Sequence, residues 1–446
     1  MARTTGDPTV DAILADLARD DPDAAEAARA GFESLTSGEG LASVNAHGLA
    51  DLLWYQLPVK WICDLDEKYQ IAAGLGELFA RLGRPRYAAM CTSPTTARVL
   101  TTYEHDGMTA GLRAYRAALS ASGVEPPDIP DIIAWGSVMG DDEASAYSSV
   151  SLALERAIES GDLTPGGSGW RTSARQVTVG FLDSPHDDVT GTTWLQWVNA
   201  ERLQLWAESR GPIRSRLAGH LADLLTNPQP PPADAEATLA PIRWLLDHAA
   251  AGAPLTQTGN LARSIVAEGC RRFDWLTLSG NPRSESDIPE LWTLRELARQ
   301  MGAVRRAGRL LLLSRAGQTL HAAGTEDLWQ ATMACLPGPS GAEAAAAELA
   351  LMLLHDQPLD HGALNSAVAH SLTEEGWRGR ATDQPVGPEQ ATILLGDLRR
   401  RLHLLHLSAD RRLDNPMLVG LREAGRDAAR TALRARALRA RNLPPG

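Results

Sequence analysis

Leu291-Trp292-Thr293-Leu294-Arg295-Glu296-Leu297-Ala298-Arg299-Gln300-Met301-Gly302-Ala303-Val304-Arg305-Arg306-Ala307-Gly308-Arg309-Leu310-Leu311-Leu312-Leu313 is a stretch in which two hydrophobic periods meet. Leu291, Leu294, Leu297, Ala298 and Met301 recur at three- and four-residue spacing, the repeat of one helix face. Beyond Gly302 the pattern shortens to that of a strand pair turning at Ala307-Gly308, with Arg305, Arg306 and Arg309 along it. The stretch therefore predicts a helix over Pro289–Met301 that runs into a basic β-hairpin. Asp287 and Glu290 have the spacing of a capping box at its start.

Upstream, Ala235–Ala250 reads as a helix with Leu239, Ile242, Leu245 and Leu246 inward, Pro254 to Gly259 as extended chain, and Leu261–Phe273 as a second helix. The order is helix, short strand, helix, helix, hairpin, and it recurs. Leu245-Leu246-Asp247-His248 ahead of Pro254-Leu255 is echoed by Leu353-Leu354-His355-Asp356 ahead of Pro358-Leu359. Arg315-Ala316-Gly317 is echoed by Glu423-Ala424-Gly425. The offsets are 104 from Leu255 to Leu359 and 108 from Gly317 to Gly425. Two tandem copies of one module, 235–330 and 335–446, account for the echo.

Leu291 to Val304, the basic hairpin and Leu313-Ser314-Arg315-Ala316-Gly317 together resemble a winged-helix domain. There a helix ends at a small residue, a wing follows, and the last strand enters a Ser/Thr-x-x-Gly helix start. With Pro254-Leu255-Thr256-Gln257-Thr258-Gly259-Asn260-Leu261 ahead of it, the segment is also similar to proteins of high-GC bacteria, some associated with plasmids and insertion elements. Trp54-Tyr55-Gln56-Leu57-Pro58 and Trp135-Gly136-Ser137-Val138-Met139-Gly140 resemble parts of the same family. The resemblance implies a fold and brings no activity or catalytic residues.

The clearest break in the sequence is Asn227-Pro228-Gln229-Pro230-Pro231-Pro232, which cannot continue a helix and favours extended geometry. Residues 227–234 are therefore the expected linker. Ahead of it, 41–226 reads as an all-helical domain. Ile71, Leu75, Leu78, Phe79 and Leu82 stop at Gly83 and Pro85, Ser93-Pro94 opens a helix, and Asp141–Ser160 is another. In Thr193–Glu208, Trp194, Trp197, Val198, Leu205 and Trp206 fall largely on one side. Residues 1–40 are acidic and Ala-rich, with an expected loosely docked helix over Asp11–Ala30. The expected class is mainly α: a helical N-terminal domain followed by two winged-helix-like modules.

The chain has 446 residues and a net charge of −12. Residues 1–250 hold 19 basic and 34 acidic side chains, a net −15, whereas 251–446 hold 24 and 21, a net +3. Nucleic-acid binding is therefore confined, as an expectation, to 251–446. Lys60 and Lys68 are the only lysines, a usage that fits a high-GC coding bias. No run approaches the roughly 20 apolar residues of a membrane span, and Met1 to Val10 lacks the basic and apolar regions of a signal peptide. Cys63, Cys91, Cys270 and Cys335 form no CxxC pair. The expected compartment is the cytoplasm, with no membrane partner.

Enzymatic signatures are sparse. His403 and His406 sit three apart, in a segment read as strand, without the further ligands of a metal site. Asp64, Asp66 and Glu67 form one acidic cluster, and Asp141-Asp142-Glu143 forms another that opens a helix. Gly74-Leu75-Gly76 lies within a helical pattern, and Gly136-Ser137-Val138-Met139-Gly140 is not GxSxG. No cofactor is expected, and no catalytic residue is assigned. The candidate binding residues are Arg305, Arg306, Arg309 and Arg315 on the hairpin and its exit, with Arg295 and Arg299 on the preceding helix offset by Glu290 and Glu296. Arg422 to Arg441 reads as a basic C-terminal helix with a shallow apolar face, either an electrostatic arm or a solvated end. The favoured reading is a non-enzymatic regulatory or nucleic-acid-associated protein. A protein–protein adaptor whose winged modules bind protein is the alternative, and an enzyme comes third.

Overall fold

The computed structural model describes residues 5, 7–130, 132–187, 190–208, 211–275, 284–379, 383–409 and 418–442. The protein is mainly helical, with two small antiparallel sheets among the described residues. It divides into two compact units, residues 1–198 with 440–446 and residues 199–439. Among the described residues no helix is long and apolar enough to cross a membrane.

The first unit opens with α1 (Pro8–Asp20) and α2 (Pro22–Thr36), each with an aspartate cap and a proline in its first turn. Pro22 has no N–H to continue α1, so the single helix expected over Asp11–Ala30 is two helices. Nor are they loosely docked, since Val10, Leu14, Leu17 and Phe32 are buried. Next come α3 (Ala46–Asp51) and α4 (Leu57–Lys60), joined by a π-helical turn over Leu52–Gln56, and then α5 (Leu65–Arg81). Gly74 of α5 faces α2 so closely that a Cβ there would lie 2.8 Å from the Ala24 carbonyl oxygen. Small side chains that bury little area singly gain contact through this approach. The helices α6 (Pro85–Cys91), α7 (Pro94–Asp106) and α8 (Met108–Ser122) complete a core reaching from Val10 to Val124. Ser93 caps α7 by accepting from the Thr96 N–H.

A second core in this unit joins α9 (Asp141–Ser160), α10 (Trp170–Leu182) and the start of α11 (Trp194–Glu208) through Val150, Leu154, Leu182 and Val198. Residues from the end of the chain belong to the same unit. The Val138 N–H donates to the Arg441 carbonyl at 2.9 Å. Gly136 permits the approach, because a Cβ there would lie 2.3 Å from that oxygen.

The division falls within α11, ahead of the proline segment. Val198 packs in the first unit, while Leu203 and Trp206 belong to the core of the second, so this helix does not bury one continuous face. The second unit continues with α12 (Pro212–Leu225), which buries Ala218, Leu221 and Leu225 in that same core. Residues 227–234, with neither helix nor strand, thus lie inside the second unit.

After them come α13 (Ala235–Ala250), β1 (Ala253–Pro254), α14 (Arg263–Phe273), α15 (Pro289–Gln300), β2 (Val304–Ala307), β3 (Leu310–Leu313) and α16 (Arg315–Ala322). The strands form an antiparallel sheet in the order β1–β3–β2, with Val304 opposite Leu313 and Ala253 opposite Leu311. Following α17 (Thr325–Ala334), a related series runs through α18 (Gly341–Asp356), β4 (Leu359–Asp360), α19 (His361–Glu374), α20 (Pro388–Leu394), α21 (Gly396–Leu404), β5 (Leu418–Val419) and α22 (Glu423–Ala437). Leu359 lies opposite Val419.

The two series share a hydrogen-bond frame. The N–H groups of Met301, Gly302 and Ala303 close α15 onto Leu297, Arg299 and Ala298, and those of Leu405, His406 and Leu407 close α21 onto Arg401, His403 and Leu402. Ser314 N–H then donates to Ala303 at 2.9 Å, as Arg422 N–H does to Leu407 at 3.0 Å. Gly317 and Gly425 sit against those same carbonyls, where a Cβ would lie 1.8 and 2.2 Å away.

The C-terminal helix ends at Ala437 and is neither a free arm nor a solvated end. Its expected shallow face, Ala428, Ala429, Ala432, Leu433 and Ala437, is buried, and it packs against α17 and α18. Arg436 reaches Glu348 at 3.4 Å, which ties part of the helix's charge to the core.

Candidate functional site

The hairpin turns through Gly308 and Arg309, one residue later than Ala307-Gly308, since Ala307 pairs with Leu310 and Gly308 takes φ 59°. Arg305, Arg306, Arg309 and Arg315 are all exposed. Strand alternation puts Arg305 and Arg306 on opposite faces, so the arginines do not form one row. Arg306 donates to the Gly308 carbonyl at 3.0 Å, which folds its side chain along the turn. Among the described residues, none of the four forms an ion pair.

The two arginines on α15 are committed. Arg295 is paired with Glu285 at 2.8 Å and donates to the Gly259 carbonyl at 2.8 Å. Glu285 also accepts from the Leu261 N–H at 2.7 Å, so this pair pins the β1–α14 loop to α15. Burial raises the Glu285 carboxyl despite that N–H and Arg295. Arg299 is exposed and paired with Glu296 at 2.6 Å. The expected Asp287–Glu290 capping box is absent: Asp287 instead closes a box with Ser284 one turn earlier, and Ile288 precedes α15 without a side-chain cap.

The helices that precede the second strand of each series, α15 and α21, pack against each other. Arg400 lies over the Trp292 ring at 5.6 Å, and His403 approaches Glu290 at 3.8 Å. His403 lies in α21 and His406 just beyond it in left-handed geometry, so the pair does not occupy a strand. Both line a cleft of about 490 Å³ with His361 and Arg399. Among the described residues, no group of three or more His, Cys, Asp or Glu is placed to hold a metal ion.

The remaining candidates have structural work. Asp64 and Glu67 close the capping box of α5, and Asp141 to Glu143 form the first turn of α9. Burial raises the thiols of Cys63, Cys270 and Cys335 and pushes Cys91 up to about 12. Thiols so held are poor nucleophiles and poor ligands.

The sequence reading missed a buried ionic cluster in the second unit. Arg214 of α12 holds Glu348 at 3.0 Å and Glu375 at 2.5 Å, and Trp206 donates to Glu348 at 2.5 Å. The partners lie more than a hundred residues apart, so no local pattern announces them. Compared with known proteins, the chain matches no family model, no curated protein and no solved structure.

Proposed function

We propose that residues 235–446 form two winged-helix modules, and that the first holds the phosphate backbone of a nucleic acid through its wing, in a non-enzymatic regulatory role. The order helix, strand, helix, helix, hairpin and the sheet order β1–β3–β2 support the fold part of this reading. One observation carries the binding part: Arg305, Arg306, Arg309 and Arg315 stand exposed with no ion-pair partner among the described residues. An arginine already paired gains little from a phosphate, while an unpaired one gains a charge-assisted contact and releases condensed counterions.

Charge follows the same division. The first unit carries 15 basic and 28 acidic residues, a net −13, and the second carries 28 and 27, a net +1. Because α15 packs against α21, base readout by that helix is not invoked. The reading is limited to sequence-tolerant backbone contact. Exposed apolar side chains on the same unit, Trp292 at 45% and Ile393 at 77%, favour a protein partner as the second reading.

The test is an anisotropy titration of a mixed-sequence duplex with the full chain at several salt concentrations. Affinity falling with salt, and equally across sequences, supports the reading. No binding at low salt removes it and leaves the protein partner.

A further inference from the structure

The first unit holds a cleft of about 610 Å³, within the size range of small-molecule sites. Arg116 reaches it from α8, and Arg171 and Arg175, one turn apart, reach it from the start of α10. Among the described residues none of these three has a carboxylate within ion-pair distance, although Glu125 and Asp128 line the same cleft. Opposite charges share the cleft without neutralising one another.

Aromatic side chains complete the lining. Trp170 carries the Arg171 guanidinium over its ring at 4.8 Å, and Trp135 stands edge-on to Tyr147 at 5.3 Å. Among the described residues the buried Trp135 indole N–H has no acceptor, a cost that a ligand acceptor would remove. Burial, then Asp128, raises the Glu125 carboxyl above its ordinary range, and a donor brought beside it would reverse that. Gly169 precedes helix α10 and offers no side-chain cap, so the helix dipole adds to Arg171 and Arg175.

We propose that this cleft binds a small molecule of the nucleotide class, its phosphate on Arg116, Arg171 and Arg175 and its planar, N–H-bearing ring beside Trp135 and Glu125. A bare anion would fill little of the volume and leave Glu125 without a donor. An uncharged ring would leave three arginines unused. A guanine ring suits Glu125 best, because one carboxylate accepts from two parallel N–H groups.

Calorimetry on the full chain tests this with guanosine monophosphate, guanosine and inorganic phosphate as separate probes. Guanosine monophosphate binds at least about tenfold more tightly than either fragment. Arg171→Ala/Arg175→Ala, at exposed positions, loses about tenfold or more for the nucleotide with an unchanged melting temperature. Glu125→Gln weakens the nucleotide and leaves phosphate binding as it was. The nucleotide raises the melting temperature of the wild type and not of the arginine variant. No binding of the nucleotide at millimolar concentration, phosphate binding equal to the nucleotide's, or unchanged binding by the arginine variant each overturns the proposal.

Discussion

After α15 the first series places Gly302 in left-handed geometry at φ 66°, and after α21 the second series places His406 there at φ 51°. The surrounding hydrogen bonds are the same, and so is the glycine against the preceding carbonyl, Gly317 in one and Gly425 in the other. What differs is the chemistry mounted on that frame. Arg295 in the first copy is paired with the carboxylate Glu285, whereas Arg399 at the matching place donates to the neutral amide of Asn365 at 2.7 Å. The core helices differ too: α13 buries no carboxylate, while α18 buries Glu348 and needs Arg214 beside it. Backbone sterics are therefore shared by the two series while side-chain electrostatics differ.

The largest effect belongs to the charge that one copy has and the other lacks. Arg214→Met leaves buried Glu375 without its cation and Glu348 with Arg436 alone, and costs about 3–5 kcal/mol in urea unfolding. Adding Glu348→Gln to that variant recovers part of the loss. A loss as small as that of an exposed arginine breaks the contrast between α13 and α18.

The shared glycines come next. Gly317→Ala and Gly425→Ala each push a Cβ into a backbone carbonyl, which cannot swing aside, so each costs about 1–3 kcal/mol or more. Similar losses sharpen the equivalence of the copies, and a tolerated substitution at either site breaks it. A smaller pair tests the left-handed position: His406→Gly stabilises by about 0.5–1 kcal/mol, and Gly302→Ala destabilises by a similar amount.

The smallest effect is a pH slope confined to the first copy. Burial holds the Glu285 carboxyl above its ordinary value, so the folded chain binds that proton more tightly than the unfolded chain does. The linked stability is full below the ordinary carboxylate value and is lost as pH rises through the raised one. Glu285→Gln removes that part of the slope, as urea midpoints across the acid range will show. A slope unchanged by the substitution contradicts the assignment.

What could be read locally in the sequence was legible. Asp141–Ser160 forms a helix with those ends, Ser93 caps α7, and the Gly317–Gly425 echo falls where the two copies repeat one hydrogen-bond frame. Expectations erred where distant packing decides. The alanines of α2 and α22 looked too small to bury much, yet close helix approach makes them core. His403 lies in a helix because Arg401, Leu402 and Leu404 are buried on it, and the leucine-rich run had suggested a strand. Arg214 with Glu348 and Glu375, and the cleft uniting Arg116 with Arg175, join residues that no short window brings together.

We propose that the unpaired hairpin arginines, and not the paired one on α15, contact phosphate. The slope of log affinity against log salt for a mixed-sequence duplex tests this with Arg305→Ala and Arg295→Ala measured beside the full-length wild type. Arg305→Ala is expected to make the slope shallower by about 0.9, one phosphate contact. Arg295→Ala should leave the slope unchanged and lower the unfolding midpoint, because it strands Glu285. An equal change of slope for both variants, or none for Arg305→Ala, contradicts the account.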